Sequence, residues 1–490
     1  MTDWIPYFNG ATPRPQQLEC LDAIEASQAD VVVVQAPTGA GKSLIQLGHA
    51  RRLRHLDPRA TSYIVTPQRA LQAQLADGND DVCKMQGAAN YRCWAYERAP
   101  ERHSRHDGCP FYLAVDRAVA SPIVVHNYAS LLHRRKHFPR RRLLCLDEGH
   151  RASAAVGDFL TLEIESTERD YLPGGEASFD AMRELAAAGE RTGCESLDRK
   201  LYQMQSMWWL YGLDAPEDDE ADEPWDGETL DLDFRPVSDD YTGTTQFVPT
   251  RLAPAGHVIT GRGEKVLIVS ATVLDAKLLC AELGLGKRSV EYIELGSDFP
   301  IENRPIIGRY CGKMSQKHQS VVLPRVLKAL AGDMARHKDE AGIVHTVSYQ
   351  LAEQVVRGLN DPRCVKLPRG EGRDTTIAKF LAGELGKGRV LVGPGLHEGI
   401  DAVGDAARWQ AIVKSPYPYL GDVRVKAMLE RNEGMARRWL EWQEAITLIQ
   451  MLGRIVRSRE DWGTTYVYDS RAHDVLNGPF CPRYVREAVR

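Results

Sequence analysis

Short apolar runs alternate with helical periodicity along most of the chain. Val31–Val34 is a run of four β-branched residues, and the segment after it repeats apolar positions at helical spacing. Further apolar runs end at Thr66, Asn127 and Asp147, and similar runs recur after residue 263. Such continuous runs predict strands that are buried on both faces, as in parallel sheets. The pattern therefore predicts an α/β fold.

The alternation falls into two regions, which predict two parallel-sheet domains. The proline-bearing segment GSDFPIENRPI separates them and predicts a linker. Two other regions do not follow the alternation and predict inserts: a loop-rich one and a helical one that ends in an acidic loop. We expect the first domain at 1–82, 113–150 and 263–298, the loop-rich insert at 83–112, the helical insert at 151–262 and the second domain at 299–490.

A glycine-rich turn follows the valine run directly. Its residues are Thr38, Gly39, Ala40, Gly41, Lys42 and Ser43. A strand, a glycine-rich turn and a helix in this order predict a loop whose backbone N–H groups bind phosphate. We expect Lys42 to reach the β- and γ-phosphates of ATP and Ser43 to hold Mg²⁺. The alternative is an ordinary turn with a surface lysine.

A pair of carboxylates ends the predicted strand Leu143–Leu146. Asp147 and Glu148 follow this strand directly. We expect Asp147 to hold Mg²⁺, and Glu148 to orient and deprotonate the water that attacks the γ-phosphate. The alternative is a surface carboxylate pair, but the phosphate loop upstream favours an ATP-hydrolysing site.

The composition is that of a globular protein. Hydrophobic residues make up 43% and charged residues 26% of the 490 residues. No apolar run approaches the roughly 18 residues of a membrane span, and the N-terminus lacks the features of a secretory signal. Ten cysteines in a chain of this length do not predict a disulfide framework. We therefore expect a cytoplasmic protein without a membrane partner.

The net charge of −5 conceals a local asymmetry. Residues 214–233 contain eleven acidic residues and neither lysine nor arginine, so the rest of the chain carries +6. Basic clusters lie at 51–54 and 133–142. Each cluster alone is weak evidence for a nucleic-acid partner, because charge clusters commonly form solvated faces.

Two arginines near the C-terminal end are spaced for one face of a helix. The segment EAITLIQMLGRIVRSREDWG predicts a helix that carries Gln450, Arg454 and Arg457. Arg454 and Arg457 are three residues apart, so they would share a face. Two guanidinium groups on one face can bind a triphosphate and stabilise charge as the γ-phosphate leaves. The alternative is an ordinary solvated helix face.

Together these segments resemble the superfamily-two DNA helicases of the XPD/DinG family. General markers are APTGAGKS, DEGH, SAT and QMLGRIVR, and more specific ones are NYRC before CPFY, VVHNYASLL, GSDFPIENRP and LHEGIDAVGD. The resemblance covers nearly the whole chain, whose compact length is similar to that of phage or stand-alone bacterial members. It implies two RecA-like domains, an iron–sulfur-like insert at 83–112 and an arch-like insert at 151–262. It also implies an ATP-driven motor that moves 5′ to 3′ on single-stranded DNA and unwinds forked duplexes.

The resemblance implies roles for further residues. Gln17 matches a position that recognises adenine, although a helix-capping role is the alternative. Asp401 would contribute to the nucleotide site from the second domain, together with catalytic Gln450, Arg454 and Arg457. The implied DNA contacts are Thr66, Pro67, Gln68, Asn127, Tyr128, Thr346, Ser348 and His397.

The loop-rich insert departs from the family pattern. An iron–sulfur cluster needs four cysteines, but here only Cys93 and Cys109 match, and His103 and His106 lie between them. These four residues form a Cys₂His₂ set suited to Zn²⁺, and Cys83 is a substitute ligand. The alternatives are an iron–sulfur cluster and an insert that binds no metal.

The sequence also leaves other functions open. A nucleic-acid remodeller would use ATP as a clamp switch without processive unwinding. An RNA helicase is a third alternative, and only the family resemblance favours DNA. Protein partners remain unknown from the sequence.

Overall fold

Alternate valines of the first strand pack on opposite faces of a central sheet. The computed structural model of the protein describes residues 2–67, 69–93, 106, 108–133, 137–189, 191–206, 232–239, 241–398 and 400–490. Val31 and Val33 belong to one apolar core, and Val32 and Val34 belong to another. Helices cover both faces of the sheet, which is why the whole strand is buried.

Strands and helices alternate through most of the chain. The strands are β1 (Val31–Gln35), β2 (Ser62–Thr66), β3 (Val82–Met85), β4 (Ile123–Asn127), β5 (Arg141–Asp147), β6 (Leu162–Ile164), β7 (Phe234–Asp239), β8 (Thr244–Pro249), β9 (Gly263–Ser270), β10 (Val290–Glu294), β11 (Ile306–Gly312), β12 (Gly342–His345), β13 (Cys364–Lys366), β14 (Val390–Gly393), β15 (Trp409–Ile412) and β16 (Thr464–Asp469). The α-helices are α1 (Pro15–Ala26), α2 (Lys42–Leu56), α3 (Arg69–Ala76), α4 (Pro110–Ala120), α5 (Tyr128–His133), α6 (Ala152–Leu160), α7 (Phe179–Ala188), α8 (Glu195–Ser206), α9 (His257–Thr260), α10 (Ala276–Glu282), α11 (Gln319–Arg336), α12 (Tyr349–Leu359), α13 (Arg373–Leu381), α14 (Val423–Arg431), α15 (Glu433–Leu452), α16 (Ser470–Leu476) and α17 (Arg483–Arg486). No helix in the described part of the chain combines the length and apolar character that crossing a bilayer requires.

Two parallel sheets form two RecA-like domains, which confirms the predicted fold class. The first sheet has the strand order β10–β1–β9–β5–β2–β4–β3, and the second has the order β11–β16–β15–β12–β14–β13. The strand pairs described within both sheets are parallel. Ligands in such sheets bind at the carboxyl ends of the strands, where loops from β1, β5 and β9 meet.

The inserts differ in detail from the sequence expectation. Strand β3 crosses the expected start of the loop-rich insert, because it pairs with β4 at the edge of the first sheet. The second insert contains helices α6–α8 and also an antiparallel sheet of order β6–β8–β7. The short strand β8 alternates buried with more exposed positions, a two-residue period that the helical prediction missed. Most of the acidic segment lies outside the described residues, and the exact domain limits stay predictions.

Helix α15 joins the second domain to the first. Trp442 is fully buried, and its indole N–H donates to the Val273 carbonyl at 2.8 Å. Arg438 pairs with Asp275 at 2.8 Å. These contacts hold the segment between β9 and α10 against the second domain, so they fix how the two sheets sit relative to each other.

Glu282 makes this interface sensitive to pH. Trp439 of α15 donates its indole N–H to Glu282 at 2.7 Å. Burial raises the pKa of Glu282 from its ordinary 4.5 to about 7, against the opposing effects of Trp439 and Arg424. The folded protein therefore holds this proton more tightly than the unfolded chain, and its stability falls as pH rises between those two values.

We expect Glu282→Gln to raise the melting temperature at about pH 8 and to leave it nearly unchanged at about pH 5. Glutamine keeps an acceptor for Trp439 but has no charge to bury. Thermal melts of the wild type and the variant at both pH values test this, with the exposed Glu176→Gln as control. An equal shift at both pH values would contradict the assignment.

Candidate nucleotide site and metal-ligand cluster

The loop between β1 and α2 has the conformation that its glycines permit. Gly39 and Gly41 have positive φ angles of 82° and 78°, a region that residues with a Cβ rarely adopt. Helix α2 begins at Lys42, and the N–H groups of a first helical turn have no partner within the helix. The loop therefore presents backbone donors and Lys42 to one site, which suits a phosphate.

Lys42 pairs with a carboxylate that follows β5. Its Nζ lies 3.1 Å from Oε1 of Glu148. The φ of Glu148 is +47°, a strained conformation that costs about 1–3 kcal/mol and clusters at functional sites. Burial raises the pKa of Glu148, but Lys42 and His150 outweigh it and hold that pKa below its usual range. Burial and the Glu148 charge raise the pKa of Asp147, so the two neighbouring carboxyl groups differ sharply in acidity.

Asp147 is held by a residue that the sequence analysis did not identify. Gln46 is fully buried in α2, and its Nε2 donates to Oδ1 of Asp147 at 2.9 Å. Tyr128 donates its hydroxyl to the backbone carbonyl of Asp147 at 2.9 Å. In the sequence, only the spacing of four residues between Lys42 and Gln46 indicates that they share a helix face.

A chain of hydrogen bonds connects Glu148 with the second domain. Ser270 donates its hydroxyl to Oε2 of Glu148 at 3.2 Å, and its Oγ lies 2.7 Å from Nδ1 of His150. From α15, Nε2 of Gln450 lies 2.7 Å from Nε2 of His150 and 3.3 Å from Oγ1 of Thr272. Burial lowers the pKa of His150 to about 4. The neutral ring accepts from Gln450, which places its proton on Nδ1 for donation to Ser270.

Arg454 and Arg457 lie beyond the end of α15, so the predicted shared helix face is wrong. The helix ends at Leu452 and is capped by Gly453, whose N–H bonds back into the last turn. The chain then turns, and Asp461 accepts the backbone N–H of Arg457 at 3.2 Å. A spacing of three residues does not show where a helix ends, so the sequence pattern alone could not reveal this boundary.

The two guanidinium groups nevertheless converge. Both donate to the Ile400 carbonyl, Arg454 at 3.0 Å and Arg457 at 3.4 Å. Arg454 lies 3.7 Å from Oδ1 of Asp401, and Arg457 forms an ion pair with the same carboxylate. Burial lowers the pKa of Arg457 to about 10, against the effect of Glu148. Arg457 therefore remains a cation at neutral pH, and burial likewise lowers the pKa of Arg454.

One cavity of about 380 Å³ brings these groups together. It lies between the two RecA-like domains and has cationic groups on both sides, so it suits a bound triphosphate. The carboxylate and hydroxyl oxygens in its wall suit Mg²⁺. The residues predicted for the nucleotide site that line it are Thr38, Gly39, Gly41, Lys42, Ser43, Asp147, Glu148, Asp401, Gln450, Arg454 and Arg457.

Gln17 contacts the phosphate loop itself. Its Oε1 accepts the backbone N–H of Arg14 at 2.8 Å, which caps α1. Its Nε2 donates to the Ala40 carbonyl at 3.0 Å, and the residue is only 2% exposed. The structure therefore places Gln17 in the capping position that was the alternative, and its recognition of adenine stays a prediction.

Three of the expected DNA contacts are buried. Thr66 is 0%, Thr346 1% and Tyr128 4% exposed. Thr66 lies beside Asp147, whose pKa its hydroxyl lowers, and Thr346 donates to the Ser348 carbonyl. Their side chains are therefore little exposed in this conformation, and their roles in DNA binding stay predictions.

The other expected contacts lie nearer the surface. Asn127 accepts the Ser130 N–H at 2.6 Å, and Ser348 is exposed at the start of α12. Pro67 and His397 line the nucleotide cavity. Gln68 lies outside the described residues. These roles in DNA binding stay predictions.

The loop-rich insert brings three potential metal ligands together. One ligand atom each from Cys93, His106 and Cys109 lies within 4.8 Å of the others. The two cysteines are buried, and Sγ of Cys93 lies 3.1 Å from Nε2 of His106. The predicted fourth ligand, His103, lies outside the described residues. Cys83 lies on β3 and is not part of the cluster that the described residues form.

Comparison with known proteins agrees with this architecture. Residues 14–170 match the DEAD/DEAH box helicase family, and residues 332–487 match the helicase C-terminal domain. The probable ATP-dependent helicase MJ0942 of Methanocaldococcus jannaschii is 26% identical over 243 residues. That match spans 45% of this chain and only 37% of the curated relative.

Solved structures show the same fold. The structure named XPD_Helicase has a TM-score of 0.63 at 14% identity, over 94% of this chain and 97% of that chain. S. tokodaii Xpd4 has a TM-score of 0.59 at 12% identity, over 97% of this chain and 99% of that chain. The chain therefore contains a DEAD/DEAH box helicase domain and a helicase C-terminal domain, and its fold is that of the XPD structures.

Proposed function

We propose that the protein is an ATP-dependent DNA helicase that moves 5′ to 3′ on single-stranded DNA and unwinds duplexes. The observation that carries this proposal is the shared cavity. Lys42 and Glu148 approach it from one RecA-like domain, and Arg454 and Arg457 approach it from the other. Binding and release of the γ-phosphate then change the contacts between the domains, and this change moves the two domains relative to each other.

In the proposed reaction, the phosphate loop and Lys42 bind the β- and γ-phosphates of ATP. Mg²⁺ held by Ser43 and Asp147 would neutralise charge on these phosphates. Glu148 orients and accepts a proton from the attacking water, and Ser270 keeps its carboxylate in place. The triphosphate competes with Glu148 for Lys42, so ATP binding itself frees the carboxylate for its role.

Arg454 and Arg457 stabilise the charge that develops as the γ-phosphate leaves. In the structure these cations are paired with Asp401, a carboxylate that is 70% exposed. The two arginines are mostly buried whereas this carboxylate is open to solvent, so a triphosphate in the cavity can replace Asp401 as their partner. This exchange is the proposed signal from the nucleotide to the second domain.

The proposed strand path crosses the carboxyl ends of both sheets. Asn127 and Ser348 lie at the end of β4 and at the start of α12 respectively, where phosphate contacts would position a strand without reading its sequence. The choice of DNA, and of the 5′ to 3′ direction, rests on the resemblance to the XPD/DinG family.

Tailed duplexes test this function directly. We expect ATP-dependent unwinding of duplexes with a 5′ single-stranded tail and little unwinding of those with a 3′ tail. Glu148→Gln keeps the shape of the side chain but removes the base, so it should bind ATP and fail to unwind. Binding to the tail should weaken steeply with salt, because it depends on phosphate neutralisation.

Three outcomes would contradict parts of the proposal. Unwinding of 3′-tailed duplexes alone would overturn the direction of movement. ATP hydrolysis without strand separation would support the ATP-switched remodeller instead. Preferential unwinding of RNA duplexes would support an RNA helicase.

The loop-rich insert is proposed to bind Zn²⁺ at Cys93, His106 and Cys109, with His103 as the fourth ligand. Tetrahedral zinc holds sulfur at about 2.3 Å and nitrogen at about 2.0 Å, which places neighbouring ligand atoms roughly 3.5 Å apart. The three ligand atoms lie within 4.8 Å of one another, so small side-chain shifts would let them converge on one ion. Bound zinc would order the insert where the family places a wedge against the DNA fork.

We expect one zinc per chain in the purified protein, measured by mass spectrometry of the metal content. Cys93→Ser and Cys109→Ser should lose it, because a hydroxyl is a poor zinc ligand. Cys83→Ser is the matched control and should retain it, since Cys83 lies outside the cluster. A metal-free protein would contradict the zinc site, and iron with strong visible absorbance would support the iron–sulfur alternative.

A further inference from the structure

Gln46 is on the helix that follows the phosphate loop, and its side chain contacts Asp147. It is in the second turn of α2, four residues after Lys42 and three after Ser43. Residues at these spacings share one face of a helix. The face that presents Lys42 and Ser43 to the nucleotide cavity therefore also presents Gln46 to the end of β5.

The contact of Gln46 with Asp147 is made by groups that are removed from solvent. Gln46 is 0% and Asp147 6% exposed. Nε2 of Gln46 donates to Oδ1 of Asp147 at 2.9 Å. A hydrogen bond to a carboxylate in such surroundings is strong and directional, so it fixes the rotation of the carboxyl group.

The side-chain carbonyl oxygen of Gln46 is still available to accept a hydrogen bond. Its Oε1 is buried and has no hydrogen-bond partner among the described residues. Buried carbonyl oxygens are normally paired, so an unpaired one beside a carboxylate that suits Mg²⁺ points to a ligand. A water molecule bound to Mg²⁺ is a donor that this oxygen can accept, since Mg²⁺ usually keeps several waters.

We propose that Gln46 is a positioning residue for the Mg²⁺ of the nucleotide site. Its N–H holds one oxygen of Asp147, and its carbonyl oxygen accepts a hydrogen bond from a metal-bound water. This inference rests on the proposed function, because it assumes that Mg²⁺ and a nucleotide bind at this cavity. Asp147, the predicted metal ligand, would thus be oriented by Gln46, a residue on the same helix as Lys42.

The test measures Mg²⁺ binding without measuring turnover. The full chain is titrated with a fluorescent ADP analogue, first without Mg²⁺ and then at increasing Mg²⁺. Gln46→Met preserves length and removes both hydrogen-bonding groups. We expect its affinity for the analogue without Mg²⁺ to stay within about twofold of the wild type, and the Mg²⁺ concentration for half-maximal enhancement to rise about 10- to 100-fold.

The chain offers a matched control in Gln72. Gln72 is also fully buried in the first domain, donates from Nε2 to one backbone carbonyl at 3.1 Å, and has an unpaired Oε1. Gln72→Met therefore removes an equivalent buried amide whose partner is the Met85 carbonyl and not a predicted metal ligand. It should leave the Mg²⁺ dependence unchanged, which separates a specific effect from general loss of stability.

The outcomes are distinguishable. A shift in Mg²⁺ dependence for Gln46→Met but not for Gln72→Met supports the inference. Equal Mg²⁺ dependence in the wild type and in a folded Gln46→Met protein overturns it while leaving the proposed function intact. Failure of the wild type to show any Mg²⁺-dependent nucleotide binding would overturn the proposed function and this inference together.

Discussion

The packing of helix α15 against the first domain is the constraint on which the site depends. The phosphate loop and the acidic pair belong to one sheet, and the arginines belong to a different one. Neither set forms the site alone. Trp442 fixes the middle of the helix against Val273, and Gln450 near its end reaches His150 and Thr272. The helix therefore sets the distance between the groups that bind a nucleotide and the groups that stabilise its hydrolysis.

The same part of the second domain also holds the arch-like insert. Arg431 at the end of α14 donates to Asp233 at 2.8 Å and to Thr250 at 2.9 Å. Arg424 at its start donates to the Pro249 carbonyl at 3.2 Å. Since α14 leads directly into α15, a rotation of the second domain would act on the insert as well as on the nucleotide cavity. The insert, which interrupts the sequence of the first domain, is thus also anchored to the second domain.

The sequence predicts best what short segments determine. Neighbouring residues in the sequence are enough to predict the strand at Val31–Val34, the phosphate loop and the acidic pair Asp147 and Glu148. In the structure, the loop and the acidic pair lie together at the carboxyl ends of the strands of the first sheet. The helix of Arg454 and Arg457 was mispredicted because periodicity alone does not show that Gly453 ends it. The convergence of these arginines on Ile400 depends on chain folding across more than fifty residues, which spacing cannot reveal.

The sequence also did not show which polar side chains at the ends of strands and helices are buried. Thr66, Tyr128 and Thr346 stand at strand ends, where ligands bind, but their side chains turn into the protein. Gln46 carries no motif, since a glutamine in the second turn of a helix is unremarkable by itself. Its contact with Asp147 exists only because β5 lies close to α2 in the folded domain.

The effect of Arg457→Ala on binding and on turnover tests most directly whether the two domains complete one site. We propose that Arg457 acts across the domain boundary on the departing γ-phosphate. We therefore expect this substitution to lower DNA-stimulated ATP hydrolysis on the order of 10³-fold, with nucleotide affinity changed only slightly. The exposed Arg459→Ala is the control and should behave as the wild type. Equal losses in affinity and turnover would show simple ground-state binding and would contradict a site that the two domains complete together.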